Sequence, residues 1–158
     1  MAAGCRLVAG REPDGAGRFE IDGGASNVNR VSMTACQTLP ATPGAVTDAR
    51  RFAADWLRGR VDPDDTLVDD VELIVSELVT NAVQAHSTTV EITLTYEGGG
   101  VHIAVTDDGA GRPERQHPGP HDVHGRGLRI VDTVSARWGV TADEDGRKTV
   151  WSVLMRLA

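Results

Sequence analysis

The segment LVDDVELIVSELVTNA, residues 67–82, determines much of the fold. Its apolar residues recur every three or four positions, which is the spacing of an amphipathic α-helix, expected over about residues 62–85. They form one stripe: Leu67, Val71, Ile74, Val75, Leu78 and Ala82. Glu77 and Asn81 are four positions apart and project together beside that stripe. We therefore predict that both side chains flank the seam between this helix and a sheet.

The residues after this helix predict an antiparallel sheet. Apolar and polar residues alternate along residues 89–96, which gives a strand one buried face and one polar face. Gly98-Gly99-Gly100 turns the chain into a second apolar strand that ends at Asp107, so the two strands form a hairpin. A helix and two more strands are expected further along, over residues 127–136, 137–141 and 149–157.

Upstream of the long helix, the chain predicts one strand and one shorter helix. Residues 31–39 are strand-like and stop at Pro40, which suits the edge of a sheet. Thr42 is placed to cap a helix that has Pro43 in its first turn and Gly59 at its end. Helices on one face of a mostly antiparallel sheet make an α+β fold, a two-layer α/β sandwich.

Length and composition indicate one folded domain. The chain has 158 residues, of which 40% are hydrophobic, enough for a proper core. Residues 1–30 are rich in Gly and Ala and show no sustained period, which predicts a disordered tail before a domain over residues 31–158. Met33 lies where the composition changes, so we consider it a candidate start of the biological protein.

Charge and cysteine content argue against some classes of function. A net charge of −7 is unusual for a nucleic-acid-binding protein, which normally carries a basic face. Cys5 and Cys36 lack the spacing of a metal site or a disulfide framework and indicate a reducing compartment. Without a membrane-length apolar run or a signal-peptide core, the expected location is the cytoplasm. Lys148 is the only lysine, so arginines and backbone amides are the main candidates for binding phosphate.

Two further motifs complement the carboxylate and amide of the long helix. Asp107 ends a strand, and Gly109 and Gly111 after it allow close backbone approach by a ligand. Gly125-Arg126-Gly127-Leu128 opens a helix, where free amides and the helix dipole make an anion site. Each motif alone has an ordinary interpretation as a solvated helix face, an Asp-Gly turn or a glycine-capped helix. Together they can activate a hydroxyl, hold magnesium, read a base and bind phosphates.

In order and spacing, the three motifs resemble the ATP-binding domain shared by gyrase, the heat-shock chaperone ATPase, sensor histidine kinases and mismatch-repair ATPases, the GHKL superfamily. Within it, the small size and the run GRGLRIVD, residues 125–132, are most similar to the bacterial anti-sigma-factor serine/threonine kinases. The resemblance covers roughly residues 40–157. It implies the Bergerat-type ATP-binding fold, with ATP and Mg²⁺ as ligands.

The resemblance also implies roles for individual residues. Glu77 matches the general base that orients the attacking hydroxyl or water, and Asn81 matches the protein ligand of Mg²⁺. Asp107 matches the carboxylate that accepts the amino hydrogen of adenine, and Asp108 is interpreted as a turn residue. Thr149 matches a threonine that supports the adenine site, although an ordinary β-branched strand residue is an equal alternative. The implied nucleotide-binding set is Asn81, Asp107, Gly109, Gly111, Gly125, Arg126, Gly127, Leu128 and Thr149.

The function implied by the resemblance is regulatory: a protein kinase that sequesters a sigma factor and phosphorylates an anti-anti-sigma antagonist. Two other interpretations stay open. The chain can be a nucleotide-gated protein-binding module with little or no turnover. It can also be the detached catalytic half of a histidine-kinase system, which the lack of a dimerisation helix or phospho-acceptor motif disfavours. The resemblance allows a homodimer.

Residues 112–124 combine three prolines with His117, His121 and His124. The histidine spacing is compatible with a metal site, but zinc requires a rigid shell of three or four ligands. A segment with these prolines is better interpreted as a flexible lid over the nucleotide.

Overall fold

The computed structural model describes residues 32–59, 65–109 and 126–155. The expected tail, the lid histidines and the expected helix start at Asp62 lie outside these residues. The described elements are, in chain order, β1 (Met33–Pro40), α1 (Gly44–Arg58), α2 (Asp65–Gln84), β2 (Thr89–Glu97), β3 (Gly100–Asp107), α3 (Arg126–Val134), β4 (Arg137–Ala142) and β5 (Lys148–Met155).

The five strands form one antiparallel sheet in the order β1-β2-β3-β5-β4. Gly98 and Gly99 join β2 to β3 and have φ values of +59° and +82°, which a tight hairpin turn requires and glycine adopts without strain. β5, the last of these strands in sequence, lies between β3 and β4. The predicted hairpin and the α+β fold class are confirmed.

The core lies between α2 and the middle of the sheet. All six residues of the predicted α2 stripe are buried, five of them no more than 1% exposed and Leu67 5%. Ile92, Leu94 and Ile103 of β2 and β3 are fully buried in the same core. Burial of a side chain of this size contributes about 1.5–3 kcal/mol, so this layer supplies much of the stability. α1 packs against α2 and β1, and α3 packs against α2 and β4.

The start of α1 differs from the prediction. Its N-terminal cap is Pro43, and no side chain caps the helix. Thr42 accepts a hydrogen bond from Ala45 N through its backbone carbonyl, at 2.9 Å, while its own N–H bonds to Pro40 O at 2.8 Å. The turn therefore uses the backbone of Thr42 where the prediction assigned its hydroxyl. Gly59 does cap the C-terminal end, as predicted.

α2 ends in a left-handed turn that brings Ser87 to the sheet. Among the described residues other than glycine, only His86 has a positive φ, of +57°. Its N–H bonds to Val83 O at 3.1 Å, and the N–H of Ser87 lies 3.5 Å from Ala82 O. This arrangement satisfies the last carbonyls of the helix and directs the chain into β2.

Replacing His86 by glycine should stabilise the protein. A side chain in the left-handed region costs roughly 1–2 kcal/mol, and glycine avoids this cost but loses more entropy on folding. We expect the free energy of unfolding to rise by up to about 1 kcal/mol, as measured by urea denaturation. His86→Ala keeps the Cβ and should show no such gain. A loss of stability in His86→Gly would show that contacts of the imidazole outweigh the backbone cost.

Candidate nucleotide site

Gly127 lies directly against the Glu77 carboxylate and the Asn81 amide. A Cβ built on Gly127 would lie 2.6 Å from Glu77 Oε2 and 3.6 Å from Asn81 Oδ1. A contact of 2.6 Å is too short for any real Cβ, so only glycine fits while Glu77 keeps this position. This contact results from the packing of α3 on α2. Val131 of α3 is fully buried in the core and stabilises that packing.

This contact places two polar side chains at the first turn of α3. The first turn of a helix carries free N–H groups and the positive end of the dipole, which together attract anions. Glu77 and Asn81 are half-buried. No hydrogen bond or ion pair joins either side chain to another residue in the described ranges. Their oxygens are therefore available for a hydroxyl proton and for a hard cation such as Mg²⁺.

The remaining residues of the glycine motifs are only partly described. Leu128 is half-buried on α3, and Arg126 is its first residue. Gly111 and Gly125 lie outside the described residues, so their assignment to phosphate or base binding stays a prediction.

Asp107 is buried at the end of β3, with 1% of its surface exposed. Its Oδ1 accepts a hydrogen bond from Gly109 N at 2.9 Å and lies 3.0 Å from Ser87 Oγ. Ser87 Oγ is also 2.8 Å from Ala82 O, so two acceptors compete for its single proton. A buried carboxylate requires such partners because an unpaired charge in the interior is costly. Oδ1 is thus engaged within the chain.

Gly109 is packed against the end of α2. A Cβ on this residue would lie 2.7 Å from Ser87 Oγ and 2.8 Å from Ala85 O. The absence of a side chain therefore lets Ser87 and Ala85 pack closely against Gly109, and the assignment of Gly109 to the nucleotide stays a prediction. The close approach keeps the residues after β3 next to Ser87, and in this way it helps to hold Asp107.

The residue opposite Asp107 is Lys148, and the assignment of Thr149 to the adenine site stays a prediction. In the β3–β5 register, Asp107 pairs with Lys148 and Thr106 pairs with Thr149. The two threonine Oγ1 atoms lie 2.7 Å apart. Because side chains alternate across a sheet, both threonines point to the face away from buried Asp107. Lys148 Nζ lies 3.5 Å from Asp107 Oδ2.

Asp108 joins two strands and does more than form a turn. Its carboxylate accepts hydrogen bonds from the N–H groups of Thr88, at 2.8 Å, and Thr89, at 3.1 Å, and from the hydroxyl of Thr88. These bonds, that of the Thr88 hydroxyl first, lower the pKa of Asp108 from 3.8 to about 2. The ionised carboxylate therefore holds the end of β3 against the start of β2.

Comparison with known proteins gives one match. The profile of a family described as histidine kinase-like ATPase domain matches residues 39–153, which include all three motifs. No curated protein matches the chain. None of the three described helices is long and apolar enough to cross a membrane. The described ranges also contain no cluster of three or more His, Cys, Asp or Glu residues suited to a metal.

Gly127→Ala should displace the Glu77 carboxylate. The added methyl group would lie 2.6 Å from Oε2, which is the end of a flexible, half-buried side chain, so the carboxylate moves aside at a cost of about 0.5–1.5 kcal/mol. Truncation of the carboxylate in Glu77→Ala removes the obstacle. The double variant should therefore be more stable than the sum of the two single effects predicts, by about 0.5 kcal/mol or more. Urea unfolding of the four proteins measures this coupling.

Gly44→Ala is the matched control for this cycle. Gly44 also lies in the first turn of a helix, but a Cβ built on it would lie 3.7 Å from its nearest neighbour, Thr42 Oγ1, which is an ordinary contact. Because alanine favours helices over glycine, this variant should be neutral or slightly more stable. Simple additivity of the substitutions at Gly127 and Glu77 would contradict the contact between them.

Asp108→Asn should flatten the acid limb of the stability curve. The pKa of Asp108 is lower in the folded chain than in the unfolded chain, so the ionised form stabilises the fold. This contribution is complete above about pH 4 and is lost as the pH falls towards about 2. Thermal melts across that window should therefore vary less for the variant than for the wild type. Asp48→Asn, at an exposed position on α1, should keep the wild-type curve, and identical curves for all three proteins would exclude this role.

Proposed function

Because the chain belongs to the histidine kinase-like ATPase domain family, we propose that it binds ATP and transfers the γ-phosphoryl group to a serine or threonine of a protein partner. The contact of Gly127 with Glu77 and Asn81 carries this proposal, because it brings together a candidate general base, a candidate metal ligand and an anion-binding helix start. The proposed setting is the cytoplasm. There the protein acts as an anti-sigma factor that sequesters a sigma factor and phosphorylates an anti-anti-sigma antagonist.

The phosphates are assigned to the first turn of α3. The backbone amides of Gly127 and Leu128 would donate to phosphate oxygens, supported by the helix dipole. Asn81 Oδ1 would hold Mg²⁺, since this ion needs only one or two protein oxygens when phosphates and water complete its shell. When bound, the ion neutralises negative charge on the phosphates during transfer.

Recognition of the adenine base is assigned to Asp107. Oδ1 is engaged by Gly109 and Ser87, whereas Oδ2 lies 3.5 Å from Lys148 Nζ and keeps a lone pair that can accept the amino hydrogen of adenine. Guanine carries an oxygen at the same edge and would meet the carboxylate acceptor to acceptor. This arrangement supports a preference for ATP over GTP.

Glu77 is assigned the proton transfer. Its carboxylate takes the proton of the attacking hydroxyl while the hydroxyl oxygen forms a bond to the γ-phosphorus. The bond from the γ-phosphorus to the bridging oxygen breaks, and ADP leaves with that oxygen. Positioning and charge neutralisation supply most of the catalysis of such a transfer, so a single base and a metal ligand suffice.

A second candidate function is a nucleotide-gated protein-binding module with little or no turnover. It is favoured by an open groove of about 350 Å³ between α1 and α2, lined in part by Arg50, Arg51 and Arg58. Arg50 and Arg58 both pair with Glu72, at 3.1 and 3.9 Å, and their side chains are more than half exposed. Asp55 and Glu72 also line the groove, which leaves a small excess of positive charge. On an acidic protein, such a groove suits an acidic protein segment and requires no catalysis.

Glu77→Gln separates the two functions. The substitution keeps size and helix propensity but removes the base, so the affinity for Mg²⁺-ATP should stay within a few-fold. Transfer should fall by about 10²–10⁴, the usual contribution of a positioned acid or base. Calorimetry measures binding. Labelled γ-phosphate with candidate antagonists, followed by phosphoamino-acid analysis, measures transfer.

Asp69→Asn is the control, because Asp69 is an exposed carboxylate on the same helix, and it should change neither quantity. Equal losses of binding and transfer in Glu77→Gln would assign Glu77 a structural role. Normal transfer would remove it from the mechanism. A wild-type protein that binds ATP but phosphorylates none of the candidates would favour the gated module.

A further inference from the structure

The only lysine of the chain lies beside Asp107, the carboxylate that is proposed to bind adenine. Lys148 is the register partner of Asp107 across β3 and β5, and its Nζ lies 3.5 Å from Asp107 Oδ2. The two side chains are 15% and 2% exposed. A charge pair so far removed from water is weakly screened, so each charge strongly influences the other.

Among the described groups around Asp107, Lys148 is the one whose positive charge offsets that of the carboxylate. On β2, the register partner is Val90, which is apolar and fully buried. The segment after α2 contributes Ser87, a neutral hydroxyl. Asp108, the next residue, turns its carboxylate to the start of β2. Within the described residues, Lys148 is therefore the group of opposite charge that faces Asp107.

We propose that Lys148 is a positioning residue for adenine recognition, whose ammonium holds the Asp107 carboxylate so that Oδ2 presents an acceptor to the amino group of adenine. The inference rests on the proposed function and specifies how that site reads its base. A carboxylate oxygen has two lone pairs, so Oδ2 can accept from both the ammonium and the base. Without the ammonium, Oδ2 loses the partner that holds it within the described residues, and the carboxylate can turn away from the base.

Lys148→Met tests this role, because methionine is apolar and of similar length. The measured quantity is the ratio of the affinities for ATP and for purine riboside triphosphate, which lacks the amino group that Oδ2 would accept from. Contacts of the phosphates and the sugar are common to both nucleotides and cancel from this ratio. The wild type should prefer ATP, and Lys148→Met should lose about tenfold of this preference because the acceptor is no longer held in place.

Two control variants separate this role from a general effect of charge or folding. Lys148→Arg restores the cation and should keep the wild-type ratio. Arg147→Met removes the same charge one residue away, from a half-exposed side chain whose Nη2 lies 3.9 Å from Glu91 Oε2, and should also keep the wild-type ratio. An unchanged ratio for Lys148→Met would overturn the inference, and so would an equal loss in Arg147→Met. A wild-type protein that does not bind ATP would instead overturn the proposed function and this inference with it.

A second measurement needs no substitution at Lys148. Because the chain has one lysine, acylation of amines modifies only Lys148 and the N-terminus, and peptide mass spectrometry distinguishes the two. Mg²⁺-ATP should slow the acylation of Lys148 several-fold and leave that of the N-terminus unchanged. An unchanged rate at Lys148 in the presence of saturating nucleotide would overturn the inference even if Lys148→Met does not fold.

Discussion

The burial of one face of α2 against the middle of the sheet is the contact on which the rest of the structure depends. Ile74, Val75 and Leu78 are no more than 1% exposed, and each side chain of this kind contributes about 1.5–3 kcal/mol on burial. Rotating the helix would expose this stripe, so its orientation is fixed by a large energy. That orientation also fixes Glu77 and Asn81 at the margin facing α3. The geometry of the candidate site is thus a consequence of core packing.

Periodicity was sufficient to predict most of the fold. The α2 stripe spans several turns, and the alternation along β2 is regular, so the end of α2 and both ends of β2 were predicted to within about one residue. The hairpin followed from Gly98 and Gly99, whose positive φ values few other residues adopt easily. The start of α1 was predicted less well, because the choice between the carbonyl and the hydroxyl of Thr42 depends on the path of the turn after Pro40.

The parts of the site that could not be predicted depend on contacts between elements distant in sequence. Gly127 meets Glu77 only because α3 packs on α2, which no local pattern reveals. The choice between Lys148 and Thr149 depends on which face of β5 is buried, and a shift of one residue reverses that face. Burial of Val150 and Leu154 places Lys148 on the inner face. In the sequence, Trp151 and Val153 are equally apolar, so the alternation that would have identified the inner face is hidden.

The position of β5 inside the sheet has a consequence for the biosynthesis of the protein. β2 and β3 can pair as soon as they leave the ribosome, but β3 then presents an open edge until the later β5 has been synthesised. That edge carries unpaired N–H and C=O groups beside Val101, Ile103 and Val105. Open apolar edges of this kind recruit strands from other chains. The nascent protein therefore passes through a stage that is prone to aggregation, and slow translation of the segment between β3 and β5 prolongs it.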